Sequence, residues 1–276
     1  DLTTLDEVDC LQRPVGVIKE AQELAAEAYG ADHSFFLING TTVGNHAMIL
    51  STASPGDEIL VARNAHKSIL TGIILSGATP RFFPPVFDEG LGILLNVTGE
   101  QARHAMELHP NAKLLALTSP NYYGVAADLR VIVQEAKRRG ILVLVDEAHG
   151  PHFHFHRTLP TSALDAGADI CVQSTHKILG GMTQSSMLHV KGPDIDHPKV
   201  VRLLHLLQST SPSYILMASL DLARMQMATE GEKLLSKAVD LAKDARDRIN
   251  RVSGLFCFGE AHLPEGGFTL DVTKLT

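Results

Sequence analysis

Lys177 stands where lysines are uncommon, between the apolar run Ile170-Cys171-Val172 and the glycine pair Gly180-Gly181, among Ser, Thr and His residues. No carboxylate lies within several residues on either side. A lysine kept off the solvated surface has its amine pKa lowered and becomes a nucleophile toward an aldehyde, although a single lysine is more often an ordinary loop residue. Asp146 follows the apolar run Ile141–Val145. An ionised carboxylate in that setting needs a partner, or a protonated ring nitrogen, to offset its desolvation. A helix cap or an internal salt bridge would also serve, but Gly150-Pro151 directly after it argues against a long helix. In LINGTTVGNHA, 37–47, the turn Gly40-Thr41-Thr42 presents backbone N–H groups and two hydroxyls at the positive end of a helix, a cradle for a phosphate. Taken alone, a Thr N-cap is the commoner reading. His66, in RNAHKS, begins a helix after a strand, where a satisfied structural His is the default, and the tyrosines of SPNYYG, 119–124, could simply pack.

These residues need a scaffold, and the chain alternates helical and strand patterns to supply one. Helical spacing covers 14–29, about 41–52, 67–75, 99–109 and 129–139, with Gly30 and Gly140 closing the first and last of these. Strand-like runs cover 33–38, 58–62, 81–83, 113–118, 141–145, 170–172 and 187–190. Strands this apolar, separated by helices, predict an α/β fold of three layers, a mostly parallel sheet with helices on both faces. Such sheets place ligands at the carboxyl ends of their strands, where each candidate residue falls. Beyond Gly192 the strand signal fades into helices near 196–207, 213–228 and 232–252, and then LFCF and GFTLDV read as the first strands of a further small domain.

The 276 residues are 45% hydrophobic, enough for a substantial core, and the net charge of −7 leaves no basic footprint for nucleic acid or an anionic membrane. Cys10, Cys171 and Cys257 are widely spaced and odd in number, which fits a reducing cytoplasm better than a disulfide framework. No apolar run reaches membrane-spanning length, and no signal peptide is visible. The polar opening DLTTLDEVD and the strand-like close make both ends look cut from something longer.

Each chemical signal is weak alone, but their order is specific. A phosphate turn, a histidine, a strand-end aspartate and then a lysine is the layout that pyridoxal 5'-phosphate requires: an anion site, an acid for its pyridinium nitrogen and an amine for its aldehyde. The stretches FFLINGTTVGNHAMI, RNAHKSI, TSPNYYGV, LVDEAHGPHF, QSTHKILGGMTQSSMLHVKG and LLQSTSPSYILMASLD together resemble the ornithine/lysine/arginine decarboxylase family of fold-type-I pyridoxal-phosphate enzymes, from about Pro14 onward. STHK and DEAHG are the most specific of them.

The resemblance implies the large cofactor-binding domain of an enzyme that decarboxylates lysine, arginine or ornithine to the amine and carbon dioxide. By that resemblance Lys177 would hold the cofactor covalently and Asp146 would keep its pyridine nitrogen protonated. His66 would stack on the ring, Ala148 would pack on its other face, and His149 would lie near the phenolic oxygen. Gly40, Thr41 and Thr42, with Ser174 and His176, would bind the phosphate. Ser209 and Thr210 would reach the active site of a partner subunit, so that the unit would be a homodimer or a higher homo-oligomer. No metal is expected. Family members are longer at both ends, which leads to an expected division into a cofactor-binding domain, 1–230, and a connector helix with the start of a truncated C-terminal domain, 231–276. Another fold-type-I activity, an aminotransferase or aldolase, shares the same Asp, Lys and phosphate turn, and a non-catalytic dimerising fragment is the reading from a different class.

Overall fold

The computed structural model describes residues 8–276, so residues 1–7 of the polar opening segment lie outside the described part. In chain order the strands are β1 (His33–Leu37), β2 (Glu58–Ala62), β3 (Thr79–Phe83), β4 (Phe87–Asp88), β5 (Ile93–Leu94), β6 (Ala112–Thr118), β7 (Val125–Ala127), β8 (Leu142–Asp146), β9 (Ile170–Gln173), β10 (Ser186–Val190) and β11 (Phe268–Leu270). The helices are α1 (Val17–Tyr29), α2 (Gly40–Thr52), α3 (Lys67–Ser76), α4 (Gly99–Leu108), α5 (Leu129–Arg138), the single turn α6 (Thr175–Ile178), α7 (His197–Leu207) and α8 (Tyr214–Asn250).

Seven strands form the central sheet in the order β1-β10-β9-β8-β6-β2-β3. The run from β9 to β3 is parallel throughout. β10 is antiparallel to both neighbours, which returns β1 to the direction of the parallel set. The carboxyl ends of β1, β2, β6, β8 and β9 therefore share one edge of the sheet, with the start of β10 between them.

Period-two alternation assigns the buried residues to two faces. Ile59 and Val61 of β2, Leu114 and Ala116 of β6 and Leu144 of β8 join one core, under α2, α3 and α7. Their neighbours Leu60, Leu115, Leu117, Val143 and Val145 join the other, under α4 and α5. The second face continues across Phe36 and Met187 beneath α1 and α8. This is the expected three-layer arrangement. α2 lies so close to the sheet that a Cβ on Gly44 would meet Val172 Cγ1 at 2.5 Å, which is why glycine serves at that crossing.

Three details differ from the sequence pattern. The helices expected at 213–228 and 232–252 are one helix, α8, because Gly231 does not break it but sits against Phe155, whose Cβ lies 3.2 Å from where a glycine Cβ would be. LFCF, 255–258, is not a strand; Cys257 and Phe258 are instead buried by side-chain packing. Lys177 lies on the helical turn α6 and not in a loop. The boundary expected at residue 230 falls inside α8. Beyond that helix, β11 pairs antiparallel with β7, and Asp271 Oδ2 meets His152 Nε2 at 3.2 Å with both side chains buried.

Candidate active site

The strand ends open into a cleft of about 380 Å³. Gly40, Thr41 and Thr42 line it from the start of α2, His66 from the start of α3, Asp146, Ala148 and His149 from the end of β8, and Ser174, His176 and Lys177 from the end of β9. Ser209 and Thr210 do not line it. They are exposed, and Ser209 is held beside the cleft by its N–H donating to Asn39 Oδ1 (3.0 Å) and its carbonyl accepting from Gln12 Nε2 (2.7 Å).

Asp146 is the last residue of β8 and only 2% exposed. Its Oδ2 accepts from Asn45 Nδ2 (2.9 Å) and its Oδ1 from the Ala148 N–H (3.2 Å). Burial raises its pKa, and the hydrogen bonds from Asn45 and Ala148 and the nearby His66 and Lys177 oppose that rise. A cationic or N–H-bearing ligand is what such a carboxylate lacks.

Lys177 is driven the other way: burial lowers its pKa, and the charge of Asp146 partly restores it. Its Nζ lies 3.2 Å from His149 Nε2. Burial, then the charges of Lys177 and Lys274, push the His149 pKa down to about 4. The imidazole is therefore neutral near pH 7, and Nε2 can accept a hydrogen bond from the lysine.

At the other end of the cleft Gly40 opens α2 with φ +71°, a left-handed conformation natural to glycine. Asn39 at the N-cap forms no side-chain cap, and Thr41 is no cap either; its hydroxyl instead bonds the Ser174 hydroxyl, and that of Ser186 at 3.0 Å. These bonds tie the helix start to the turn that carries Lys177. His176 Nδ1–H donates to the Ser185 carbonyl (2.7 Å), leaving Nε2 as the ring's remaining polar atom. His66 does cap α3, its Nδ1 accepting from the Ser68 N–H at 3.3 Å, so its structural role coexists with a place in the cleft.

Several lining residues were given no role from the sequence, although Asn64, Asn121 and Tyr122 lie in the stretches RNAHKS and SPNYYG. Asn45 comes four residues after Thr41 and so lies on the same face of α2, a helical phase that could have revealed it. Asn64, Thr118, Asn121 and Tyr122 come from loops and strand ends. Asn45 Oδ1, both polar atoms of the Asn64 side chain and Thr118 Oγ1 are buried without a hydrogen-bond partner among the described residues. Buried polar atoms are almost always paired, so a group of orphans lining one cleft indicates a polar ligand. The arrangement can hold an anion at the α2 start, a protonated nitrogen at Asp146 and a carbonyl carbon at Lys177.

Because Asn45 Nδ2 also donates to Ser68 Oγ (2.8 Å), Asn45→Ala leaves two buried acceptors short of a donor. The expected loss is about 1–2 kcal/mol of unfolding free energy, read by urea denaturation of the cofactor-free chain. A variant as stable as the wild type would show that Asp146 needs no such donor.

Behind the cleft a buried relay crosses three strands, β1, β10 and β9, to Glu147, the residue after β8. Ser34 Oγ–H donates to His189 Nδ1 (2.7 Å), His189 Nε2–H to Gln173 Oε1 (3.1 Å), and Gln173 Nε2–H to Glu147 Oε2 (2.7 Å). Glu147 Oε1 accepts from the Ala163 N–H (2.7 Å). Burial pushes the Glu147 pKa up to about 8 against these bonds, and burial pushes His189 down to about 3. A carboxyl whose folded pKa lies above its unfolded value contributes stability at low pH that is lost as pH rises through the folded pKa. Between about pH 5 and 8 the wild type is therefore expected to lose stability relative to Glu147→Gln, by at most about 1.4 kcal/mol per pH unit. Parallel urea titrations of both proteins across that range check the sign.

Comparison with known proteins places this geometry. The model of the "Orn/Lys/Arg decarboxylase, major domain" family matches residues 1–265. An arginine decarboxylase of Bacillus subtilis is 47% identical over 276 residues, covering 100% of this chain and 56% of its own length. The lysine decarboxylase LdcA of Pseudomonas aeruginosa is 32% identical over 274 residues, covering 90% of this chain and 36% of its own. A solved lysine decarboxylase A from Pseudomonas aeruginosa superposes with a TM-score of 0.82 at 28% identity, over 93% of this chain and 38% of that one. The chain thus spans about half the length of the arginine decarboxylases it matches.

Proposed function

The chain belongs to the Orn/Lys/Arg decarboxylase family, and from that premise we propose that it is the cofactor-binding part of a pyridoxal-phosphate-dependent decarboxylase of a basic amino acid. Arginine is the favoured substrate, since relatives 47–48% identical over the full chain are named arginine decarboxylases. The observation that carries the reading is that the buried Asp146 carboxylate and the Lys177 amine line one cleft together with polar atoms unpartnered among the described residues.

The residues present fit the cofactor. Lys177 would hold it covalently, Gly40, Thr41, Thr42, Ser174 and His176 would take its phosphate, and His66 and Ala148 would bound its ring. When bound, it supplies an electron sink for the pair left behind as the carboxylate departs. Asp146, fixed by Asn45 and the Ala148 N–H, would keep a proton on the ring nitrogen by its charge. His149, neutral near pH 7, would accept a hydrogen bond from the Lys177 amine and orient it. Thr41, bonded to Ser174, keeps the phosphate end and the lysine turn in register.

Residues 1–230 are proposed as the cofactor domain, with 231–276 as connector and opening of a further domain. The exposed Ser209-Thr210 turn, beside Gly40, is proposed to reach the cleft of a second copy in a homodimer. Among the described residues no helix is long and apolar enough to cross a membrane. Free cysteines at Cys10, Cys171 and Cys257 support a cytoplasmic setting. The deciding experiment is detection of amine and carbon dioxide from arginine, lysine and ornithine with the pyridoxal-phosphate-loaded protein. No amine from any of the three would remove the reading.

A further inference from the structure

The segment after α8 brings one more cation against Tyr122, a residue that lines the cleft. β11 pairs with β7, and beyond it the chain packs on the 119–124 turn: the Asp271 N–H donates to the Gly124 carbonyl (2.8 Å), and a Cβ on Gly124 would lie 3.2 Å from Lys274 Cβ. Lys274 Nζ then stands 4.8 Å from the centroid of the Tyr122 ring. Tyr122 lines the mouth of the cleft, is 71% exposed, and meets the His149 ring edge-on at 6.0 Å. In order of contact the row is Lys274, Tyr122, His149, Lys177.

Among the described residues Lys274 has no ion-pair partner. Asp271, three residues earlier, is engaged elsewhere: its Oδ2 meets His152 Nε2 at 3.2 Å, and its Oδ1 accepts from the Thr273 N–H (3.0 Å) and hydroxyl (2.6 Å). A half-buried ammonium on an aromatic face, near the Asp271 charge but ion-paired to no carboxylate among the described residues, is a site for an incoming anion. The cofactor's phosphate is not that anion, because its cradle at Gly40–Thr42 and Ser174 is a different part of the cleft.

We propose that Lys274 receives the α-carboxylate of the incoming amino acid at the cleft mouth and so orients the substrate. The proposal rests on the functional reading above. A basic amino acid carries an anion at its α-end and a cation at the other, so an ammonium at the mouth attracts the first and repels the second. The α-end is thereby presented to Lys177, with the distal cation kept outward. Tyr122 acts as the support that holds the ammonium in place, and the buried Asp271–His152 pair anchors the segment that delivers it.

The test uses the full chain loaded with pyridoxal phosphate, titrated by rapid-mixing absorbance with arginine and with agmatine, which is arginine without its carboxylate. Lys274→Met keeps the apolar stem and removes the charge. It is expected to weaken arginine about tenfold while leaving agmatine nearly unchanged, and to flatten the salt dependence of arginine binding. Lys274→Arg should recover most of the arginine affinity. Unchanged arginine affinity in Lys274→Met, or equal losses for arginine and agmatine that Lys274→Arg does not repair, would overturn the proposal and leave the decarboxylase reading standing. A wild-type chain that takes up no cofactor would instead overturn the functional reading, and this inference with it.

Discussion

Lys177→Ala is expected to abolish covalent retention of pyridoxal phosphate and to lower turnover by on the order of 10⁴-fold or more, the scale of removing a covalent catalytic group. The fold should survive, because Lys177 projects from the one-turn helix α6 into an open cleft and its side chain bonds only His149 among the described residues. Two readouts separate site from scaffold: mass spectrometry after borohydride reduction, and the urea midpoint. The wild type should gain the mass of the reduced cofactor and the variant should not, with midpoints that agree. A variant that still retains cofactor through borohydride reduction would transfer the role to another amine. Lys274, whose pKa is also lowered by burial, is then the lysine to examine.

Asp146→Asn should behave differently. The amide can keep an acceptor oxygen toward Asn45 or the Ala148 N–H, so the variant is expected to fold and to take up cofactor. It cannot hold a ring proton by charge, and a preorganised charge in a water-poor site is worth roughly 10²–10³-fold in rate. The native carboxylate resists ionisation through burial, so it gains most from a cationic partner; the amide gains nothing from one. Steady-state amine release, with cofactor absorbance as the control for loading, measures the loss. Near-normal turnover in a loaded Asp146→Asn protein would remove the electron-sink role from this residue.

Much of this was legible because strand ends are legible. Apolar runs such as Val143-Leu144-Val145 and Ile170-Cys171-Val172 announce strands buried on both faces, and the polar residue after each falls on the ligand edge. Asp146 was exposed to view by that rule, and Lys177 by its setting between an apolar strand and a glycine pair, whereas Ser174 followed only from the family resemblance. Asn45 was not in view, since an Asn inside a helix looks like any other until the helix is known to start at Gly40. The direction of β10 was hidden as well: Ser186–Val190 is buried at every position, and an unbroken buried run reads the same in either sense. Gly231 misled because glycine weakens helices on average, whereas here the long helix needs a small residue where it crosses Phe155. The place of Lys274 depended on where β11 pairs, a contact between residues more than a hundred positions apart that no local pattern encodes.

β1 takes its place in the sheet only by pairing with β10, and that has a consequence for the birth of the protein. Ser34 and His189, partners across that pairing, are separated by 155 residues. At synthesis rates of about 5–20 residues per second, β1 waits roughly ten to thirty seconds for the strand that receives it. For that interval Phe35, Phe36 and Leu37 have no sheet to join, although Phe36 and Leu37 end among the most deeply buried residues. The nascent chain thus carries an adhesive early segment, and its apolar strand is exposed until β10 emerges to receive it.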